Sequence, residues 1–212
     1  MASEAAETAL SILRNASMYK WYVIPFLLVV IYLYAAEAEK KNWKGIMAGI
    51  AFWGIDLFNE IWNSLILHFT GYSAFWLEPG ETAYLILVSL NIETSLMFAV
   101  MGLASAKFLP ANKDMKVFGK TSNRIVIALI IATLCLFVEI LLNIAGALVW
   151  DYPFWSLACP WLILVVAYFP MWFVTFKVFD ARDMKRRVKM VGTIFIVDLA
   201  CVVVFIGILG WI

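Results

Sequence analysis

Hydrophobic residues are concentrated in six long runs that short polar connections separate. At a rise of 1.5 Å per residue, each run is long enough as a helix to cross about 30 Å of hydrocarbon. Helices are expected because lipid cannot satisfy the hydrogen bonds of an open backbone. The pattern therefore predicts an all-α, polytopic membrane helix bundle of about six transmembrane helices. The predicted spans are about 21–37, 44–69, 82–107, 123–149, 157–180 and 188–212.

The segment before the first run is predicted to be a separate element. Within residues 1–20, positions 3–18 are Ala-rich and weakly amphipathic, which favours a short helix on the outer surface. A frayed terminus is the alternative interpretation. Residues 21–212 are then expected to form a single six-helix transmembrane domain.

Basic residues occur in the connections after the first, third and fifth runs, whereas the other connections carry only acids. By the positive-inside rule, the basic connections are cytoplasmic and both termini are non-cytoplasmic. Tryptophans, which prefer membrane interfaces, cluster at the predicted outer boundary. We predict an integral protein of the cell membrane or the endoplasmic reticulum. These tryptophans are Trp21, Trp76, Trp150, Trp155, Trp161 and Trp211.

Composition narrows the classes of partner and cofactor. The chain is 65% hydrophobic, against about 45–50% in ordinary soluble domains. A net charge of +1 gives no reason to expect nucleic acid. The three cysteines lack paired spacing and the single histidine, His68, is interpreted as a surface residue, so we expect no metal and no cofactor. The expected partners are membrane lipids and a hydrophobic substrate, with a homo-oligomer left open.

Five carboxylates lie inside the predicted spans, and no Lys or Arg shares their depth. Each costs about 2.5–3.5 kcal/mol at a helix centre, so their presence indicates function. A site with neutral carboxylic acids beside ionised ones is suited to proton donation and to cation stabilisation. The candidate catalytic residues are Asp56, Glu60, Glu93, Glu139 and Asp198.

Helical spacing suggests that these acids share one central polar and aromatic pocket. Asp56, Asn59, Glu60 and Asn63 follow i, i+3, i+4, i+7 and form one stripe. A second stripe on the fourth span includes Glu139. The alternative is that the polar residues only hold helices together. The candidate substrate-binding residues are Asn59, Trp62, Asn63, Asn91, Asn143, Tyr168 and Trp172.

Aromatic residues inside the spans are the second notable feature. An indole face stabilises a cation by about 0.5–2 kcal/mol, although simple packing is the alternative role for any one tryptophan. Pro170 lies between Tyr168 and Trp172 and is expected to break the fifth helix. A freed carbonyl at that depth is tolerated where it lines a cavity.

A short internal similarity links the second and fourth spans. It is interpreted either as a parallel two-helix repeat, 44–107 and 123–180, or as chance. The shared positions are L-F-x-E-I followed by F-W, at 57–61 with 75–76 and at 136–140 with 154–155.

The stretch IDLFNEIW at 55–62, together with Glu93-Thr94, resembles the emopamil-binding-protein sterol isomerases. The resemblance covers about a quarter of the chain. It implies that one acid protonates a sterol double bond, another removes a proton, and a late-span tryptophan at Trp172 shields the carbocation. The chain departs from that family at Asp56, where the family has His, and in its sixth span.

The chain is also similar in outline to small membrane-bound terpene cyclases of meroterpenoid and indole-diterpene pathways. It rests on Glu60 in an early span that contains Asn and Trp and on Asp198 in the last span, and it implies that Glu60 or Asp198 protonates an epoxide or an alkene. Both resemblances imply an intramembrane isomerase or cyclase acting on an isoprenoid or sterol-like lipid. A small proton- or organic-cation-coupled transporter is a second hypothesis, because mid-membrane acids also serve such coupling. A non-catalytic subunit of a membrane complex is the third.

Overall fold

The computed structural model describes residues 1–117 and 119–212, most of which are helical. Its α-helices are α1 (Glu4–Ile12), α2 (Val23–Glu39), α3 (Trp43–Thr70), α4 (Ile92–Ser105), α5 (Asn123–Ile144), α6 (Pro160–Ile163), α7 (Phe169–Phe179) and α8 (Met184–Cys201). Two π-helical segments extend them, Leu164–Tyr168 between α6 and α7 and Val202–Ile208 after α8. Two short antiparallel hairpins complete the fold, β1 (Leu85–Leu87) with β2 (Leu90–Asn91) and β3 (Lys116–Val117) with β4 (Thr121–Ser122).

In the described part of the chain, three helices are long and apolar enough to cross a membrane: Asn123–Ile144, Pro160–Phe179 and Met184–Ile208. They correspond to the fourth, fifth and sixth predicted spans. The prediction of a helical membrane protein is therefore confirmed at this level. In the first three predicted spans, α2 and α4 are shorter than these helices. Helix α3 is long but carries two acids, Asp56 and Glu60.

The third predicted span is wrong in its first part. Residues 82–91 form a loop and the β1–β2 hairpin, and α4 begins only at Ile92. Its 14 residues span about 21 Å, less than the thickness of the hydrocarbon. The apolar run LILVSL is compatible with both helix and strand. Tertiary packing selects the strands, because Leu85, Leu87 and Leu90 are all buried against other segments.

Helix α3 is the centre of the bundle and packs against α2, α4, α7 and α8. Its crossing with α4 depends on two glycines. A Cβ on Gly102 would lie 2.5 Å from the Cβ of Phe52 and 3.0 Å from the Cα of Gly49. Small residues allow membrane helices to approach closely. The opposite face of α3 meets α8, where a Cβ on Gly54 would lie 2.8 Å from Ile194.

One end of the bundle is closed by a cap made of α1, the β1–β2 hairpin and the loops 71–84 and 145–159. Within the cap, helix α1 buries Ala6 and Ala9 against the loop 71–84 and the hairpin. The Asp151 carboxylate accepts hydrogen bonds from the hydroxyls of Ser3 and Ser73. Arg14 donates from Nε to the carbonyl of Ile86 at 3.0 Å. The predicted N-terminal helix is therefore present, at 4–12, and it is docked on the loops.

Pro170 does not break the fifth span. The chain stays helical from Pro160 to Phe179, and the π-helical segment Leu164–Tyr168 immediately precedes α7. A π-turn widens the helix by one residue and so accommodates the proline ring within a continuous helix. The expected break is corrected to a local widening that places Tyr168 on the inner side of the bundle.

Candidate functional site

A cavity of about 360 Å³ lies between α3, α4, α5 and the π-helical segment, below the cap. We call it the acidic chamber, because four carboxyl side chains line it. Its volume is within the range of ligand pockets, about 300–1,000 Å³. The polar lining residues are Asp56, Asn59, Glu60, Trp76, Glu78, Ser89, Thr94, Cys135, Glu139 and Tyr168, and the rest are apolar.

The α3 wall of the chamber is the predicted stripe. Asp56, Asn59 and Glu60 line it, and all lie on one helical face, as their spacing requires. The Glu60 carboxyl is fixed at both oxygens. Oε1 accepts from the indole Nε1 of Trp76 at 2.9 Å, and Oε2 accepts from the hydroxyl of Ser89. Glu60 is therefore held in one orientation by the cap.

The facing wall comes from α5 and the π-helical segment. Glu139 lines the chamber from α5, and its Oε1 accepts from Trp150 Nε1 at 3.3 Å. Tyr168 lies beside it, on the segment that precedes Pro170. The two Phe-Trp pairs of the internal similarity, 75–76 and 154–155, contact each other above this wall. Phe75 stacks on Trp155 with a centroid distance of 4.7 Å.

Glu78, in the loop after α3, is a fourth carboxyl that sequence reasoning missed. It accepts hydrogen bonds from the Asn91 side-chain amide and, at 3.0 Å, from the Thr94 hydroxyl. Burial raises the pKa of Glu78 well above its usual value, and the nearby Glu60 carboxyl adds to the rise. In the sequence, Glu78 was only one of the acids of an outer connection. No helical spacing predicts that Glu78 lines the chamber, because contacts between segments distant in sequence place this loop over the chamber.

Among the described residues, two chamber carboxyls have an oxygen without a hydrogen-bond partner, Oδ2 of Asp56 and Oε2 of Glu139, and the Tyr168 hydroxyl lies near the Glu139 carboxyl. Both unpartnered oxygens are buried. No Lys or Arg is among the described residues that line the chamber. A buried polar atom without a partner costs about 1–3 kcal/mol, so each of these two atoms is a position where a bound group would gain a hydrogen bond.

The chamber is open on the side between α4 and α5. These two helices make little direct contact with each other. Met97 on α4 and Leu134, Val138 and Leu142 on α5 line the cavity, yet 40–59% of each is exposed. The opening is therefore lined by exposed apolar side chains.

Two predicted catalytic acids lie outside the chamber, which corrects the expectation of one pocket for all five. Glu93 accepts from the Tyr22 hydroxyl and, at 2.7 Å, from the backbone N–H of Ala83. It binds the loop before β1 because α4 starts at Ile92 and puts Glu93 in the first turn. Asp198 is buried on α8, which packs against α3. Neither of its oxygens has a partner.

Two predicted substrate-binding tryptophans are also elsewhere. Trp172 is fully buried and stacks on Phe52 at 3.9 Å, so it belongs to the packed core. Trp62 donates to Asn59 Oδ1 at 3.0 Å and packs edge-on to Trp76. Depth in the membrane does not determine which face of a helix a side chain occupies. The tryptophan that lines the chamber is Trp76, from the cap.

Three predicted amides have structural roles at the edge of the site. Asn63 donates to the carbonyl of Trp76 at 2.8 Å and to Ser89 at 2.7 Å, which holds the cap in place. Asn91 caps α4 by accepting from the backbone N–H of Thr94. Asn143 donates to the carbonyl of Leu148. Of the predicted binding residues, the chamber contains Asn59 and Tyr168.

His68 is distant from these residues and stacks on Trp211 at 4.8 Å. Within residues 1–117 and 119–212, no group of three or more His, Cys, Asp or Glu side chains is arranged to hold a metal ion. Carboxyl groups such as those of the chamber are able to exchange a proton with a bound molecule or to pair with a bound cation.

Comparison with known proteins adds the family. The sequence model of an uncharacterized membrane protein family matches residues 3–207. A protein of Archaeoglobus fulgidus, described as an uncharacterized protein, is 48% identical over 212 residues, which cover the whole of both chains. No solved structure matches.

Proposed function

The chain belongs to this uncharacterized membrane protein family, and from that premise we propose that it is an intramembrane acid–base enzyme. Its substrate is an isoprenoid or sterol-like lipid with a carbon–carbon double bond. The observation that carries the proposal is the pair of unpartnered carboxyl oxygens, on Asp56 and Glu139, inside a cavity that opens toward lipid.

We propose that six helices cross the membrane, namely α2, α3, α4, α5, the α6–α7 unit and α8, with both termini outside. Exposed apolar side chains cover α2 along its outward face, including Phe26, Leu28 and Ile31, as lipid contact requires. The cap supplements the short α4 on the outer side. The basic connections all lie at the other end of the bundle, which agrees with the positive-inside rule.

The opening between α4 and α5 supports a lipid substrate. A molecule dissolved in the bilayer reaches the carboxyls between Met97 and Val138 without crossing the cap. A chamber lined by four acids and by no Lys or Arg among the described residues repels a diphosphate. The substrate is therefore neutral, or cationic, and is activated by protonation.

The proposed reaction moves a double bond by two proton transfers. The protonated carboxyl of Asp56 or Glu139 donates its proton to one alkene carbon, whose π electrons form the new C–H bond. The other alkene carbon becomes a carbocation. The second carboxylate then takes a proton from an adjacent carbon, and the electrons of that C–H bond form the shifted double bond. A cyclase differs only in that a second alkene attacks the cation before the proton is lost.

The surrounding residues have positioning roles in this scheme. Trp76 and Tyr168 offer aromatic faces to the cation, each worth about 0.5–2 kcal/mol. Glu60 is fixed by Trp76 and Ser89, so its charge is aimed at one place in the chamber. Exclusion of water protects the carbocation from capture.

The test uses solvent deuterium as the probe. The purified protein, in lipid nanodiscs made up in D₂O, is supplied with a panel of neutral sterols and linear isoprenoids. Mass spectrometry should find deuterium on carbon in one lipid class, and Asp56→Asn or Glu139→Gln should lower the incorporation by about 10²-fold or more. Equal incorporation in the wild type and in both folded variants would contradict the proposal.

A cation-coupled transporter is the second candidate, favoured by the same absence of lining Lys or Arg among the described residues. In that case the carboxyls bind a proton or an organic cation at mid-membrane. Reconstituted vesicles should then accumulate a cationic solute, and Glu139→Gln should stop the flux. Vesicles that remain impermeable while deuterium enters a lipid would exclude this candidate.

A further inference from the structure

A second cavity, of about 380 Å³, lies at the end of the bundle opposite the cap. We call it the basic pocket, since four basic side chains and one acidic side chain line it: Lys44, Lys107, Arg124, Arg187 and Asp180. The ends of five helices form its walls. We propose that the basic pocket binds a phosphate group, which we assign first to the headgroup of an anionic lipid.

The arginines are built into the walls and do not extend freely into water. Arg124 makes a bidentate pair with Asp180, at 2.7 and 2.9 Å, and also donates to the carbonyl of Pro110 at 2.9 Å. Arg187 donates from Nη2 to the carbonyls of Phe179 and Ala181. These bonds fix both guanidinium groups at the pocket.

Several donors at the pocket remain available for an anion. The Nε–H of Arg187 is buried and has no hydrogen-bond partner among residues 1–117 and 119–212. Within the part of the chain that the structure describes, the Lys44 ammonium makes a cation–π contact, 4.9 Å from the ring centre of Phe179, and no ion pair. Lys107 pairs with Glu37 at 2.7 Å but is 53% exposed, so its other N–H groups are free. A phosphate oxygen can accept several such charge-assisted bonds at once.

Topology alone does not explain this arrangement. The positive-inside rule requires basic residues in the connections, but it does not require a concave site or buried guanidinium groups. The side chain of Arg124 is only 11% exposed. Basic pockets between helices on the cytoplasmic side are a recognised form of anionic headgroup site. The pocket is formed by helix ends, which is where the proposed six-helix topology puts the lipid phosphates.

The experiment measures lipid selectivity of the full chain. Spin-labelled phosphatidylglycerol and phosphatidylcholine are compared by electron spin resonance in nanodiscs of the wild type, of Lys44→Gln/Lys107→Gln, and of Lys185→Gln/Lys189→Gln. The control pair removes the same charge from exposed positions at the same end that do not line the pocket. We expect the wild type to prefer phosphatidylglycerol. The preference should fall about tenfold in the pocket variant, Lys44→Gln/Lys107→Gln, and about twofold or less in the control.

Two additions make the result decisive. Lys44→Arg/Lys107→Arg should keep the preference, and so should show that charge, rather than altered folding, is responsible. Inorganic phosphate that displaces the lipid places both in one site. Phosphate binding without lipid preference, lost in the pocket variant alone, would assign the site to a soluble phosphate compound. Equal loss in both double variants, or no preference and no phosphate binding in the wild type, would overturn the proposal.

Discussion

The acidic chamber and the basic pocket are nearly equal in volume, about 360 and 380 Å³, but they differ in whether their charged side chains have counterions. At the basic pocket, Arg124 has its counterion, Asp180, in direct contact. In the chamber, no counterion is present among the described lining residues, and Asp56 and Glu139 each leave one buried oxygen without a partner. Paired charges at a helix end are compatible with a purely structural role. Unpaired acids at mid-bundle are costly and are therefore more informative about function.

The contrast extends to how each site is built. The basic pocket consists of helix ends, which the sequence locates directly. The chamber needs the cap, because Trp76, Glu78 and Ser89 come from the loop and hairpin that fold over it. A site assembled from distant segments is fixed by tertiary contacts, such as those of Asn63 with Trp76 and Ser89. Variants that separate charge from packing can therefore test the two ends independently.

The largest effect is expected at Glu60. Glu60→Gln keeps the shape of the side chain but removes the charge that Trp76 and Ser89 orient in the chamber. Deuterium incorporation into the lipid substrate should fall by about 10²-fold, the size typical of losing one fixed electrostatic group beside a developing charge. Asp198→Asn is the matched control, since Asp198 is an equally buried acid outside the chamber, and it should change the rate by about twofold or less. A large loss in Asp198→Asn would instead support the Glu60–Asp198 pairing that the cyclase resemblance implies.

The next effect concerns the paired charges at the basic end. Arg124→Gln leaves Asp180 without its bidentate partner in a site where the two side chains are 11% and 21% exposed. We expect the free energy of unfolding to fall by about 2–3 kcal/mol, measured by denaturant titration in detergent. Arg182→Gln should have no measurable effect, because Arg182 is 89% exposed in its pair with Asp183. Equal effects would mean that the Arg124 pair does not stabilise the fold.

The third effect is a gain in stability. Asp198 is buried on α8 with both oxygens unpartnered and lies outside the chamber. Asp198→Leu replaces an unsatisfied polar group with an apolar one that branches at the same carbon, so unfolding should cost about 1–3 kcal/mol more. Thermal unfolding in detergent measures the change. A decrease in stability would show that Asp198 has a partner in the native membrane, such as a second copy of the chain.

Sequence reasoning succeeded where local periodicity decides the outcome and failed where distant contacts do. The apolar runs gave α2, α3, α5 and the long fifth and sixth helices to within a few residues, and the i, i+4 spacing placed Asp56 and Glu60 on one wall. The run at 82–91 was assigned to a helix because a short apolar segment has no period that excludes a strand. Its role as a hairpin in the cap depends on packing that the segment itself does not encode.

The site residues divide along the same line. Glu139 reaches the chamber from α5, on the face that the polar stripe predicted. Tyr168 reaches it from the π-helical segment beside Pro170. Trp172 has the same depth as the chamber but faces Phe52, because a large ring fills the core wherever the helices leave room. Glu78 could not be found from spacing, since nothing local relates it to Asn91 and Thr94, the residues that hold it.

The smallest effect expected is a pH dependence that originates at Glu78. Burial raises its pKa in the folded protein above the unfolded value, so the folded state binds the proton more tightly. The contribution to stability is therefore fully present below the unfolded pKa and is lost as pH rises through the folded pKa.

Glu78→Gln, which keeps the shape of the side chain without titrating, should flatten the fall in thermal midpoint between acidic and mildly alkaline pH. The hydrogen bond from Thr94 acts against the rise in the pKa of Glu78, which keeps this effect below the others. Glu81→Gln, in the same loop but exposed and outside the chamber, is the matched control and should leave the slope unchanged. The same slope in wild type and Glu78→Gln would mean that the cap opens to water in solution, and the chamber would then be a wet cleft unsuited to a carbocation.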